Sequence, residues 1–302
     1  MQHWNLGIQH ALMRQTALTV GYVGNHALKL MSYRQVNPAI YRPGATTGKT
    51  EQRRLFPGFG DLTIRAPFGY SNYHALQVEV RRRSHSGLTV WANYVFGKNI
   101  DNETNANTMN AIHNPLDLNL DRAPADSDLK HIANITAVYE LPRLRLTNAL
   151  LRGVLNGWQT NGIATIRSGF PKSVLSGFDN SLSANGRDFA DVVGNPKRPA
   201  GVDPLIEWFN TAAFVQNAPG PFGNAGRNII RGPGAFSVDV SLFKNVRLRE
   251  TWRLQVRGEA FSVSNHGNFG DPNMTLSNLN FGRILNTSTP PRVIQLALKL
   301  VF

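Results

Sequence analysis

The 302-residue sequence predicts an all-β fold, the wall of an antiparallel up-and-down transmembrane β-barrel, on three observations. Strand-length segments alternate apolar and polar residues with period two, so each strand has one apolar and one polar face. The connections between segments alternate between tight and long. Aromatic residues gather at the segment ends. The same alternation by itself also fits a soluble β-sandwich, so the loops and girdles have to separate the two folds.

Nine segments carry the pattern: 3–12, 17–23, 71–83, 88–99, 128–141, 155–168, 233–246, 252–264 and 292–302. The last is the clearest. Ile294, Leu296, Leu298, Leu300 and Phe302 fall on one face, with Gln295 and Lys299 on the other. Its length suits a strand tilted across a bilayer, and a terminal aromatic marks it as a closing strand and a signal for membrane assembly. In segment 252–264, Trp252, Leu254, Val256 and Ala260 oppose Arg253, Gln255, Arg257 and Glu259. In segment 71–83, Leu76, Val78 and Val80 oppose Gln77, Glu79 and Arg81. Such polar rows cannot enter a dry core without large desolvation costs. They fit a water-filled lumen, either as a solute path, as a docking wall for a plug, or as a hydrated wall whose side chains pair with one another. No helical periodicity competes.

The connections 13–16, 84–87 and 247–251 are short and 142–154 is intermediate, whereas 24–70, 100–127, 169–232 and 265–291 are long. Short periplasmic turns and long external loops define an up-and-down outer-membrane barrel, while sandwiches keep connections short at both ends. If the last strand ends at the periplasm, parity places every long loop outside. Trp4, Tyr22, Phe96 and Phe236 then mark the external ends, and Tyr139, Trp158, Trp252 and Phe302 the periplasmic ends, as two interfacial girdles. Trp91 departs from this pattern: it shares a face with Thr89 and Asn93 and is expected to point inward.

Composition limits the remaining classes. Mean hydropathy is −0.26, a value that alternating strands give even in a membrane. No apolar run reaches the ~18 residues of a membrane helix. The absence of cysteine removes disulfides, zinc–thiolate sites and thiol nucleophiles. A net charge of +13 raises the question of nucleic acid. Its basic residues are dispersed apart from Arg81-Arg82-Arg83, and no recognition helix accompanies them, so anionic headgroups or acidic solutes are the expected contacts. Met1-Gln-His-Trp-Asn-Leu-Gly-Ile8 shows no secretory signal, and nine strands are an odd number where bacterial barrels have even ones. Both lead to the expectation of a fragment, or of a reading frame begun at an internal methionine, with the closing strand's partner upstream.

Catalytic and metal motifs are lacking. The eight histidines form no HExxH, and GxSxG, Walker A and GxGxxG are missing. Asp117, Asp121, Asp126 and Asp128 lack the EF-hand spacing and glycine. Gly220-Pro-Phe-Gly223-Asn-Ala-Gly226-Arg227 reads as an array of turns. Neither enzymatic activity nor a cofactor is expected. The long connection 169–232 contains Phe170-Pro171, Trp208-Phe209-Asn210 and Arg231-Gly-Pro-Gly234, fit either to meet solute or to pack, and no single loop residue is assigned a role.

Several stretches together resemble one family. Asn72-Tyr73-His74-Ala75-Leu76-Gln77, Arg81-Arg82, Gly87-Leu88-Thr89 and Ala92-Asn93-Tyr94-Val95-Phe96-Gly97-Lys98-Asn99-Ile100-Asp101 come first. Gly157-Trp158-Gln159, Ser168-Gly169-Phe170-Pro171, Trp208-Phe209-Asn210, Gly226-Arg227-Asn228, Arg231-Gly232-Pro233-Gly234 and Phe261-Ser-Val-Ser-Asn265-His266-Gly267-Asn268-Phe269-Gly270 come after them. Their conjunction resembles the Oar-like TonB-dependent transporters, which carry a carboxypeptidase-regulatory-like N-terminal domain. The resemblance implies a barrel of about 22 strands in the bacterial outer membrane, inserted by the barrel-assembly machinery and filled by a plug. It implies uptake of a solute, whose identity stays open, driven through the TonB complex. Residues 1–302 correspond to the final part of that barrel; the plug, the TonB-contacting box and the regulatory-like domain have no counterpart in them. Energy-coupled uptake is therefore expected of the parent protein rather than of these residues alone. The competing expectations are an outer-membrane structural or adhesion barrel, and a soluble carbohydrate-binding sandwich.

Overall fold

A computed structural model describes residues 1–84, 86–103, 112–248 and 251–302. Among them nine long strands run antiparallel in one sheet, each hydrogen-bonded to its neighbours in sequence order. They are β1 (Gln2–Met13), β2 (Thr16–Gln35), β3 (Thr63–Arg83), β4 (Leu88–Asp101) and β5 (His131–Glu140), then β6 (Trp158–Arg167), β7 (Ala235–Arg247), β8 (Arg253–Phe261) and β9 (Val293–Val301). All nine predicted segments are present. Continuous ladders between neighbouring strands pair the backbone N–H and C=O groups, as segments in hydrocarbon require. The outer edges of β1 and β9 are unpaired among the described residues.

The register resolves the two faces row by row. Leu6 pairs with Tyr22, Tyr22 with Leu76, Leu76 with Phe96 and Phe96 with His131. On the other face, Thr19 pairs with Glu79, Glu79 with Asn93, Asn93 with Asn134 and Asn134 with Thr165. A slip of one position would exchange the faces completely. The apolar face is bare: Ile8, Leu296 and Leu298 are 68%, 81% and 73% exposed. Gly24 sits opposite Trp4 because the indole lies over it; a Cβ there would come within 2.1 Å of the ring nitrogen.

Three departures from expectation have local causes. β2 and β3 extend outward well past residues 23 and 71, so the connection between them shrinks to 36–62. The extension is hidden in the sequence by register shifts at Leu28–Leu30 and Leu30–Ser32. Lys29 adopts a left-handed φ of 57° and Pro67 interrupts the ladder opposite, which breaks the period of two. The second departure is a seven-residue helix, α1 (Ala149–Leu155), in the turn between β5 and β6. Asn148 caps it by accepting from the N–H groups of Leu150 and Leu151 at 2.9 and 3.2 Å. Seven residues are too few for a helical period to stand out.

The third concerns the long connections, which fold together instead of forming separate irregular loops. Val174, Phe189, Ala190, Phe209, Ala213, Phe214, Ala225 and Ile230 make a buried core of their own. Short ladders pair Pro171–Lys172 with Ile230–Arg231, and Asp191–Val192 with Phe214–Val215. The connection after β8 joins them: Leu175 N–H donates to Met274 O at 2.9 Å and Leu276 N–H to Leu175 O at 2.8 Å. Ala39 N–H donates to Ser183 O, and Asn185 Nδ2 donates to the carbonyls of Ile112 and His113, drawing in the connections after β2 and β4.

Candidate functional site

Two neighbouring surfaces can meet a solute: the polar face of the sheet and the loop assembly at its outer end. On the polar face, side chains from adjacent strands meet because the register sets them opposite one another. Asn134 Nδ2 donates to Asn93 Oδ1 and Thr165 Oγ1 donates to Asn134 Oδ1, both at 3.1 Å. Gln159 donates to Asn161 at 2.7 Å, and Asn161 to Ser241 at 3.1 Å. The result is a laterally bonded polar wall.

The predicted polar residues all lie on this face but fall into two groups separated by β4–β7. In the first, Gln77 stands opposite Gly21 and Val95, and Glu79 opposite Thr19 and Asn93. Arg81 ion-pairs with Glu79 at 2.6 Å, and its guanidinium carbon lies 5.0 Å from the centroid of the Trp91 ring. Trp91 is thus on the polar face, as its alternation required. In the second group, Gln255 donates to Asn245 at 2.8 Å and accepts from Arg257 Nε. Arg257 stacks over Phe243 at 4.9 Å, and Glu259 pairs in register with Ser241 and Gln295. Arg253 stands opposite Arg247. With Arg257 and Lys299 it lines a cleft of about 650 Å³ at the turn end of the sheet. Ile294, Leu296, Leu298 and Leu300 lie on the opposite, apolar face, and Trp252 packs 6.2 Å from Phe302.

Sequence reasoning assigned no loop residue, yet its glycine-rich stretches turn out to place the assembly's ties. Gly223 holds φ at 90° and passes so close to Phe189 O that a Cβ would come within 2.0 Å of it. The turn delivers Arg227 to Asp101 in an ion pair whose side chains are each only 5% exposed. Asn228 donates to Pro124 O and Asp126 Oδ1 at 2.7 and 2.6 Å. Arg231 reaches Asp128 at 2.7 Å and also bonds the carbonyls of Asp128 and Gly169. Trp208 Nε1 donates to Arg231 O at 2.7 Å, and Asn268 brackets the backbone of Phe236 from both sides. The signal was present in these motifs, but Asp101, Pro124 and Asp128 lie 126, 104 and 103 residues from Arg227, Asn228 and Arg231.

The aspartates weighed as cation ligands are dispersed among such duties. Asp117 caps a single helical turn by accepting from Asn119 N–H, Asp121 accepts from His113 N–H, and Asp128 accepts from Asn99 N–H. No group of three or more His, Asp or Glu is placed to hold a metal among the described residues. His113 is buried, stacks 3.8 Å from Phe189, and donates Nε2–H to Phe222 O at 2.6 Å. Burial holds its pKa below the ordinary histidine value. Burial likewise raises Asp121 to about 6. Glu103 is raised to about 7, first by burial and then by the neighbouring Asp121 charge. Among the described residues, neither oxygen of Glu103, nor Oδ1 of Asp121, has a hydrogen-bond partner.

A two-faced antiparallel sheet with short turns at one end and interlocked long loops at the other defines an outer-membrane barrel wall. The chain belongs to the outer membrane beta barrel domain family, whose model matches residues 1–295. It resides in the bacterial outer membrane, with the apolar face toward lipid. Its fold resembles the outer membrane transporter YddB from Escherichia coli, with a TM-score of 0.54 at 10% identity over 99% of this chain and 32% of that one. The pyoverdine-bound FpvA of P. aeruginosa gives 0.48 at 9% identity, covering 99% and 27%. The FrpB iron transporter from Neisseria meningitidis gives 0.46 at 11%, covering 98% and 30%. The chain therefore spans about a third of the length of YddB. No match was found among curated protein sequences. At such identity the likeness concerns the course of the strands, not the cargo.

Proposed function

We propose that these residues form the C-terminal portion of the barrel of a TonB-dependent outer-membrane transporter of the Oar-like subfamily. The polar face lines the lumen, with Gln77, Glu79, Arg81, Arg253, Gln255, Arg257 and Glu259 meeting either solute or a plug. The interlocked loops form the outer mouth, and Ile294, Leu296, Leu298, Leu300 and Phe302 form the strand that the barrel-assembly machinery engages. The observation that carries the reading is one sheet of continuous register with a polar face along its length and a built loop layer at one end, following the course of YddB over 99% of the chain. The remaining strands, the plug, the regulatory-like domain and contact with the TonB complex belong, in this proposal, to the parent protein. The chain itself performs no catalysis, takes no cofactor and binds no nucleic acid; it contributes wall and mouth.

The coding DNA upstream of Met1 tests this. An in-frame extension encoding a signal peptide and a plug is expected. A stop codon just before Met1 would favour a structural or adhesion barrel instead. Fractionation adds a second check, because recovery of the chain in the soluble fraction without detergent would sink both barrel readings.

A further inference from the structure

The turn between β5 and β6 differs from the other turns at its end of the sheet: it carries helix α1, and that helix leaves its apolar side uncovered. Leu150, Leu151, Val154 and Leu155 fall on one arc of the helix and are 81%, 52%, 62% and 46% exposed. In water such a face is unfavourable, and nothing in the sheet covers it. Its position is fixed from the lipid side. Lys244, on the apolar face of β7, points its ammonium at the carbonyls of Gly153, Val154 and Asn156, the C-terminal end of the helix. Trp158, on the apolar face of β6, donates Nε1–H to Val154 O at 2.8 Å, and the Lys244 ammonium lies 5.3 Å from the centroid of its ring. The helix therefore continues the girdle that Tyr139, Trp158, Trp252 and Phe302 mark at the periplasmic interface.

The charge on this segment has one sign. From Leu141 to Trp158 there is no acidic residue; Arg145 precedes the helix and Arg152 lies within it, off the arc of the four apolar residues. Arg143 lines a cleft with Gln159, Arg247 and Arg253 on the polar side, away from the lipid. The geometry points to α1 as an interfacial helix that seats in the periplasmic leaflet, with Leu150, Leu151, Val154 and Leu155 among the upper acyl chains and Arg145 and Arg152 on anionic phospholipid headgroups. Continuity with the lipid-facing band and the cationic flank single out a membrane as the occupant, since a helix with an apolar face and basic residues beside it lies in the interface plane. The inference rests on the barrel family and holds whether or not the barrel transports.

Because the chain has no cysteine, single labels are clean reporters. The full chain is reconstituted into vesicles of phosphatidylcholine, alone or with phosphatidylglycerol, and heat-modifiable migration confirms folding of each variant. An environment-sensitive fluorophore is attached at Leu150→Cys or Val154→Cys, and at Leu279→Cys in the exposed outer loop. The labels at 150 and 154 are expected to emit to the blue and to be protected several-fold from aqueous iodide relative to the label at 279. Protection should increase with phosphatidylglycerol, and that increase should vanish in an Arg145→Gln/Arg152→Gln background and at high salt. Quenching at both helix positions equal to that at 279 overturns the proposal. Equal protection with and without phosphatidylglycerol overturns its anionic-headgroup part. Either helix position suffices if the other variant fails to fold.

Discussion

In the barrel wall, Leu296 and Leu298 are 81% and 73% exposed, whereas in the loop assembly Val174 and Phe189 are 0% and 1% exposed. The wall has no core. Its strands are joined by backbone ladders and a laterally bonded polar face, and its apolar side is complete only when lipid covers it. The loop assembly stands in water and has to bury its own apolar groups, so it has a core, short ladders and buried ion pairs. One chain thus uses two kinds of stabilisation, external to the structure in one half and internal in the other. Substitutions should divide along the same line.

The largest effect is expected at Arg227. Replacing it by Met removes the buried guanidinium that pairs with Asp101, a loss on the order of 3–5 kcal/mol. The outer loops should become open to protease while the sheet keeps its heat-modifiable folding. Loss of the sheet together with the loops would erase the division between the regions. Next comes Leu298→Arg, which puts a cation on the lipid face at a cost of about 2–4 kcal/mol near the midplane. It should impair membrane assembly, and normal heat-modifiable folding in this variant would refute the assignment of faces. An arginine at the exposed loop residue Leu279 should change neither property.

The smallest effect is a pH dependence confined to the loops. Glu103 and Asp121 are raised to about 7 and about 6, so between their ordinary values and these the folded loops bind more protons than the unfolded ones. The protonated carboxyls favour folding at low pH, and that contribution is lost as pH rises through the raised values. These carboxyls should therefore slow hydrogen exchange in the loops at about pH 5 relative to about pH 8, against the opposite contribution of His113, whose pKa burial lowers, once the intrinsic rates are divided out. Glu103→Gln should flatten the difference. A dependence of equal size in the sheet amides would assign it to the whole barrel.

The two regions also differ in how far they were legible. All nine strands, and the shared face of Gln77, Glu79 and Arg81 and of Arg253, Gln255, Arg257 and Glu259, followed from alternation, because a strand's side chains are ordered by its own local geometry. The outward reach of β2 and β3 was not legible, since the positive φ at Lys29 and the interruption at Pro67 scramble the local period. Helix α1 escaped because seven residues are too few for a helical period to stand out and its anchor, Lys244, comes from a distant strand.

By itself the sequence determined the strands, their two faces, and the sidedness set by short and long connections, since each depends on neighbours two residues apart or on lengths along the chain. Only the tertiary structure decided which loop residues matter. Arg227 beside Asp101, Arg231 beside Asp128 and Asn268 around Phe236 are pairings across long separations, held by a shared core that leaves no periodic trace. The chemistry of the mouth lies in those distant contacts, while the wall needs only adjacent strands.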